Sequence, residues 1–294
     1  MAQINITAGR HSAFYSPLIF TVAGGFLEAE GLAPNYQPAA SPNAVPTMLT
    51  SGEWHLSQLA VSRNWGWLER GERPPILHFA QVNERDGFFL AGREPAPEFD
   101  WKRLEGAEVV VDHGGQPLAM FKYACKKKGV DFARLRAIDA GSTAEMEAAF
   151  RAGRGDYVHL QGPAPQQIEH DGVGHVVASV GEAIGPIAFS SLAATPAWLE
   201  TEMARAFMRA YTKARQELNR RPAAEIAEIE AAHFPGIDKE VLSATIAFYQ
   251  KLGNWNPAVE ISRASYDVAL DVFLSAGLIS KRHAYEDCVA APPA

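Results

Sequence analysis

Two stretches of this chain share one design, and that repetition constrains the fold more than any other feature. In the first, Ile4 and Ile6 alternate with polar neighbours as a short strand does, Arg10 to Tyr15 form a polar and aromatic loop, and Ser16-Pro17 sit where a helix cap and first-turn proline belong. Leu18, Ile19, Val22, Ala23, Phe26 and Leu27 then mark one helical face up to a stop at Gly31. In the second, the strand Glu108 to Val111 leads into the loop Asp112-His113-Gly114-Gly115-Gln116 and a helix opening at Pro117 and running to Lys128. A strand feeding a helix leaves free backbone N–H groups pointing at the loop, a natural seat for an anion or polar ligand. Two such units predict two helix N-termini facing one another across a cleft.

The rest of the chain fits two α/β units. Up to Asp86, strand-like pieces (around Ile4 and Ile6, His55 to Val61, Ile76 to Val82) alternate with helix-like ones (Asn43 to Gly52, Trp65 to Arg70), as βαβ units of a mainly parallel sheet require. The polar stretch Asn83 to Gly87 lies between two apolar strands and is expected to cross between domains, and Ile187-Ala188-Phe189 to carry the chain back. Residues 1–87 and 189–294 are therefore assigned to a discontinuous first domain and residues 88–188 to a second. A capping box at Ser142 and Glu145 opens one helix of the second domain, and Thr195-Pro196 open a helical C-terminal segment. At 294 residues the chain is long enough for two such cores.

Charge and motifs exclude several functions. The net charge of −7 gives no concentrated basic face for nucleic acid; the run Lys126-Lys127-Lys128 fits a solvated helix end. Apolar runs stop short of membrane-spanning length, so no membrane insertion is expected. The nine histidines include no H-x-H or H-E-x-x-H pair, and Cys125 and Cys288 have no partner motif, so neither a metal nor another cofactor is expected. Gly114-Gly115 fall short of a phosphate-binding fingerprint, and no nucleophile elbow is present. No basic and apolar leader precedes the first strand, which leaves two expectations: an extracytoplasmic protein if exported, or a cytoplasmic one.

Within this order, Ser16-Pro17-Leu18 through Gly25-Phe26-Leu27-Glu28-Ala29-Glu30-Gly31-Leu32, Leu104-Glu105-Gly106 leading into the strand to Val111, and Met146 to Asp156 with its Ala152-Gly153 resemble the type II periplasmic-binding fold. The likeness is to its alkanesulfonate-, taurine- and nitrate-binding members and the thiamine-pyrimidine precursor proteins. It implies an α/β protein of two domains, each a mostly parallel sheet flanked by helices, that captures a small organic ligand in the cleft between them. An anion such as a sulfonate or carboxylate, or a pyrimidine-like molecule, is the expected ligand, and an ABC permease the partner it implies.

Carried onto this chain, the resemblance places Arg10, His11, Ser12 and Tyr15 in the site from the first loop, and Ser62, Arg63 and Asn64 from the third strand's end. Asn83 and Arg85 come from the first crossover, His113, Gly114, Gly115 and Gln116 from the second domain's loop, and Gln161 from a later strand end. The arginines offer planar forks for an anion, and one of Trp65 and Trp67 is expected near the site. The alternative is a cytoplasmic enzyme or ligand sensor on the same scaffold, acting on a heteroaromatic, pyrimidine-like molecule with His11 or His113 as acid or base. Against catalysis, the histidine that the pyrimidine-synthase members carry before the first-helix proline is Ser16 here, and the first loop lacks the cysteine nucleophile of the fold's sulfinate-cleaving enzyme.

Overall fold

The computed structural model describes residues Met1–Ala294. Its ten strands are β1 (Ala2–Ala8), β2 (Leu32–Pro38), β3 (Leu56–Leu59), β4 (Leu77–Asn83), β5 (Phe88–Gly92), β6 (Glu108–Val110), β7 (Arg136–Ile138), β8 (Tyr157–Gln161), β9 (His175–Ser179) and β10 (Ser190–Ala194). They form two sheets of five strands, ordered β2-β1-β3-β10-β4 and β7-β6-β8-β5-β9. In each sheet the first three strands run parallel and the fourth runs against both its neighbours. That fourth strand is the one reached by a crossing: β5 enters the second sheet and β10 returns to the first. The two lobes are thus built to one plan, and a two-domain α/β fold with flanking helices is what the chain adopts.

Burial explains these strands. Phe88-Phe89-Leu90-Ala91 of β5 is buried at every position, as a strand covered on both faces must be. β10, Ser-Ser-Leu-Ala-Ala, is equally buried although it opens on two polar residues; their hydroxyls are satisfied inside the sheet, Ser190 Oγ accepting from Gln58 Nε2 at 2.6 Å and Ser191 Oγ lying 2.7 Å from His78 Nδ1. Most buried apolar side chains of both lobes join one continuous cluster, with Phe14, Phe89, Phe189, Phe248 and Tyr249 packed ring against ring along the seam. The C-terminal tail runs beside β4, where His78 N donates to Cys288 O and Ala290 N to His78 O, both at 2.9 Å.

Several local expectations shift. The first helix covers Ser16–Ala23 and ends where Gly25 turns left-handed, with φ of 77°, before a short turn Phe26–Ala29. Ser16 does not cap it: its Oγ lies 2.8 Å from both Ala13 O and Oε2 of the buried Glu230 carboxyl. The cap in that loop is Ser12, whose Oγ accepts from Phe14 N. The third helix begins at Ser62 rather than Trp65, and the second lobe's helix spans Gly115–Lys127, so the glycines read as loop form its start.

Two short segments join the lobes. Between β4 and β5, Asp86 is fully buried, and its Oδ1 accepts from Phe88 N at 2.6 Å. Gly181, just past β9, leaves no room for a side chain: a Cβ there would stand 2.3 Å from Asp86 O. Ile187 N donates to Glu84 O at 2.8 Å, so the outgoing and returning segments are themselves bonded. Tyr249, from the helix Lys239–Lys251, donates its hydroxyl to Gly87 O at 2.8 Å and accepts from Gly162 N at 3.2 Å, linking the first crossing to the end of β8.

Candidate ligand-binding site between the two sheets

A cavity of about 320 Å³ lies where the strand ends of both sheets meet. That is within the range of small-molecule sites, roughly 300–1,000 Å³. From the first lobe, Gly9 and Arg10 reach it after β1, Tyr15 from the loop below, Gln58 to Ala60 from the end of β3, and Ser62, Arg63 and Gly66 from the helix Ser62–Glu69. From the second lobe, Gly114 to Pro117 supply the N-terminus of the helix Gly115–Lys127, Gln161 the end of β8 and Phe88 the start of β5. Phe189 and Ser190 come from the return crossing. Phe273 reaches the cavity from the chain's last long helix, Arg263–Ser275, and Leu278 and Ile279 from the turn at its C-terminal end.

Direct bonds close the cleft across these elements. Arg10 Nη1 stands 3.4 Å from Asp112 Oδ2, joining the two loops of the repeated design. Ser62 Oγ donates to Gln116 Oε1 at 3.1 Å, and Gln116 Nε2 donates to Phe189 O at 3.1 Å. Gln161 Nε2 lies 3.5 Å from the Tyr15 hydroxyl. Gln58, inside β3, donates to Ser190 and also accepts from Arg10 N at 3.3 Å, so it ties the loop after β1 to the return crossing beside the cavity.

The electrostatics favour an anion. Arg10 has one carboxylate partner, and Asp112 is itself fixed by the turn, since its Oδ1 accepts from Gly114 N at 2.7 Å. Arg63 has only a neutral partner, Asn43 Oδ1, at 2.7 Å. Its guanidinium, exposed on one side, is held below its ordinary value first by desolvation and then by the charge of Arg10. Of the two helix N-termini expected to face one another, only that of Gly115–Lys127 lines the cavity; no residue of Ser16–Ala23 does, because Ser16 is buried against Glu230. The second N-terminus at the cavity is that of Ser62–Glu69, which adds its dipole, its Arg63 and Asn64 N–H groups being already bonded to Ala60 O and Val61 O.

Arg10, Tyr15, Ser62, Arg63, Gly114, Gly115, Gln116 and Gln161 are therefore brought together; the other expected residues are not. His11 turns away, its Nδ1 2.9 Å from the Tyr36 hydroxyl and its Nε2 2.7 Å from His233 O, with its ring stacked on Phe234. Burial lowers its pKa. Ser12 Oγ donates to Gly162 O at 2.6 Å, a contact between lobes that leaves no free hydroxyl. Asn64 Nδ2 donates to Ile76 O at 2.9 Å, and Asn83 Oδ1 accepts from Trp255 Nε1 at 3.0 Å; both side chains are buried in the first lobe. Arg85 contributes its backbone N–H to Asn254 Oδ1 and does not line the cavity. His113 bonds Val111 O through Nδ1 at 2.7 Å and does not face His11 across the cleft. Trp65 is buried against Tyr266 and Trp67 lies under Arg70, so neither tryptophan lines the cavity.

Two groups of lining residues had different visibility. The place of Gln58 near the C-terminal end of a strand, where α/β sheets bind their ligands, was its signal. Phe273, Leu278 and Ile279 carry none, since they arrive from more than 200 residues away and only the folded chain sets them beside Arg63.

Residues 13–225 match the model of the NMT1/THI5-like family, and the chain belongs to that family. Its two five-stranded lobes are those of the two-domain periplasmic-binding fold. Among curated relatives, "Putative binding protein YtlA" of Bacillus subtilis (strain 168) is 26% identical over 293 residues, covering 98% of this chain and 88% of its own. The ligand-binding component of an ABC-type import system from Staphylococcus aureus, crystallised with zinc bound, superimposes with a TM-score of 0.77 at 16% identity over 99% of this chain and 97% of that one. The alkanesulfonate-binding protein SsuA of Xanthomonas axonopodis pv. citri, bound to MOPS, gives a TM-score of 0.74 at 17% identity over 99% of both chains. In the present chain no three His, Cys, Asp or Glu side chains gather as a metal site requires. Family, fold and cleft agree on a solute-binding protein.

Proposed function

We propose that this chain captures a small organic anion, a sulfonate or carboxylate on an apolar body, in the cavity between its sheets and hands it to the permease of an ABC importer. It does so outside the cytoplasm, as the periplasmic-binding relatives suggest. The observation that carries the reading is the charge imbalance: two arginines and two helix N-termini converge on a space that no carboxylate lines, and Asp112, the partner of Arg10, is itself engaged by Gly114 N. No helix is long and apolar enough to cross a membrane, so delivery falls to a separate permease. The rigid units that close on the ligand are residues 1–87 with 189–294, and 88–188. The change of sheet between Asn83 and Phe88 and again between Ser179 and Ser190 supports that division.

Calorimetric titration with alkanesulfonates and carboxylates, each beside its neutral amide or alcohol, tests the proposal. Anions are expected to bind and their neutral counterparts not. Arg63→Ala should weaken the anion about tenfold or more, the cost of losing a charged hydrogen-bond partner. Equal affinity for anion and neutral analogue would overturn the reading.

A further inference from the structure

The anion reading leaves one end of the cavity unexplained. Near Arg63 the wall changes character: one helical turn on stands Gly66, and Phe273, Leu278 and Ile279 line the same cavity. Leu278 is, apart from the chain's first residue, the one large apolar side chain left exposed in the whole molecule, at 45%. The position is held rather than loose. Leu278 N donates to Phe273 O at 2.9 Å, and two residues on Ser280 N donates to Glu69 Oε2 at 3.1 Å, tying this segment along the helix Ser62–Glu69. Phe273 packs edge-on against the buried Trp65 ring, with centroids 4.8 Å apart.

Gly66 is the second observation. It sits inside a helix, where glycine is about 1 kcal/mol less favourable than alanine. No left-handed backbone requires it there. A Cβ built on it would meet nothing closer than Arg70 Nη1 at 3.9 Å. The missing side chain is therefore not needed for packing; it keeps the wall of the cavity bare beside Leu278.

We infer that Gly66, Phe273, Leu278 and Ile279 form a tail subsite: the ligand is an amphipathic anion whose head lies at Arg10 and Arg63 and whose apolar chain runs out between Gly66 and Leu278. This rests on the anion reading, and adds that the site selects for chain length. An apolar chain laid over these residues would cover surface that water now reaches, and that gain is available only to a ligand long enough to pass Arg63.

The test compares methanesulfonate with octanesulfonate, and acetate with octanoate, on the full chain and on Gly66→Leu, by calorimetry. In the parent, the eight-carbon member of each pair should bind roughly tenfold tighter or more, what burial of about two methylene groups amounts to. The carboxylate pair shows which head the site takes. In Gly66→Leu, a better helix former whose side chain occupies the subsite, the affinity ratio of long to short anion should fall from roughly tenfold or more to about one. Phe273→Ala, which removes wall rather than space, should narrow the chain-length preference without abolishing short-anion binding. If the short anion binds and length makes no difference, or if Gly66→Leu leaves the long anion unaffected, the tail subsite is wrong and the anion reading stands. If no anion binds the parent, the anion reading itself fails and this inference with it.

Discussion

Replacing His159 with phenylalanine should stabilise this protein, and more so in acid. His159, in β8, is fully buried between Phe88 and Phe121, each ring stacked on it with centroids 4.6 Å away. Neither of its ring nitrogens has a hydrogen-bond partner. A neutral imidazole there leaves one donor and one acceptor unsatisfied, each worth about 1–3 kcal/mol when buried. Phenylalanine keeps the three-ring stack and removes both, against about 1 kcal/mol or more for its larger volume. The net gain expected near neutral pH is about 1–2 kcal/mol.

The acid dependence comes from the titration of the same ring. Burial pushes the His159 imidazole down to about 3, so the native chain holds it neutral while the unfolded chain protonates it below its ordinary value of 6.5. Between those values the unfolded state binds one proton more, and stability is lost as the pH falls. Going from about pH 7 to about pH 5 crosses roughly 1.5 units of that window, about 2 kcal/mol at 1.36 kcal/mol per unit. The variant escapes this loss. Urea unfolding monitored by circular dichroism should therefore show a gain near pH 7 that grows by about 2 kcal/mol near pH 5. A loss of stability, or a gain equal at both pH values, would refute the reasoning, since it would mean the ring nitrogens are satisfied in the native state.

Other groups make separate predictions. Glu230 is fully buried with Oε1 unpartnered, and burial raises its pKa well above the ordinary value; the native chain holds its proton where the unfolded chain does not, so stability falls as pH rises through that interval. Glu230→Gln should remove this alkaline loss, visible as a flatter profile of denaturation midpoint against pH, and an unchanged slope would count against a buried neutral carboxyl. Asp112→Asn keeps the acceptor for Gly114 N but frees Arg10, and should tighten anion binding about two- to fivefold, the scale of a partly exposed ion pair; weaker binding would show that Asp112 serves the ligand rather than competing with it. Gly181→Ala drives a methyl against the backbone at Asp86 and should destabilise by about 1–3 kcal/mol in thermal unfolding, because a backbone carbonyl cannot swing aside as a side chain can. His113→Ala should leave anion affinity within about twofold by calorimetry, since a solvent-facing group away from the ligand contributes little.

What could be read from the sequence, and what could not, divides along contact distance. The alternation that marks β1, the capping box at Ser142 and Glu145 and the cap at Thr195 are set by neighbours a few residues apart, and the structure has them. β10 escaped because strand recognition leans on apolar runs, while Ser190 and Ser191 are made acceptable in a buried strand only by Gln58, Leu59 and His78. His11 resembled a ligand contact because it stands next to Arg10 in a polar loop. Its partners Tyr36 and His233 stand 25 and 222 residues away, and no local pattern foretells them. Asn64 and Asn83 were drawn into the first lobe for the same reason: backbone and indole groups arriving from elsewhere needed them. The residues that do line the cavity from the first lobe are mainly those at strand ends and first helical turns, positions that the strand-then-helix pattern marks out.

The central claim, an anion held by Arg10 and Arg63 between two helix N-termini, is tested most directly by native mass spectrometry of the purified chain, with release and negative-ion analysis of whatever it carries. A single small anion bound one to one in the parent, and absent from the Arg10→Ala, Arg63→Ala double variant, is the predicted result. A neutral or cationic molecule, or an anion retained equally by the double variant, would contradict it.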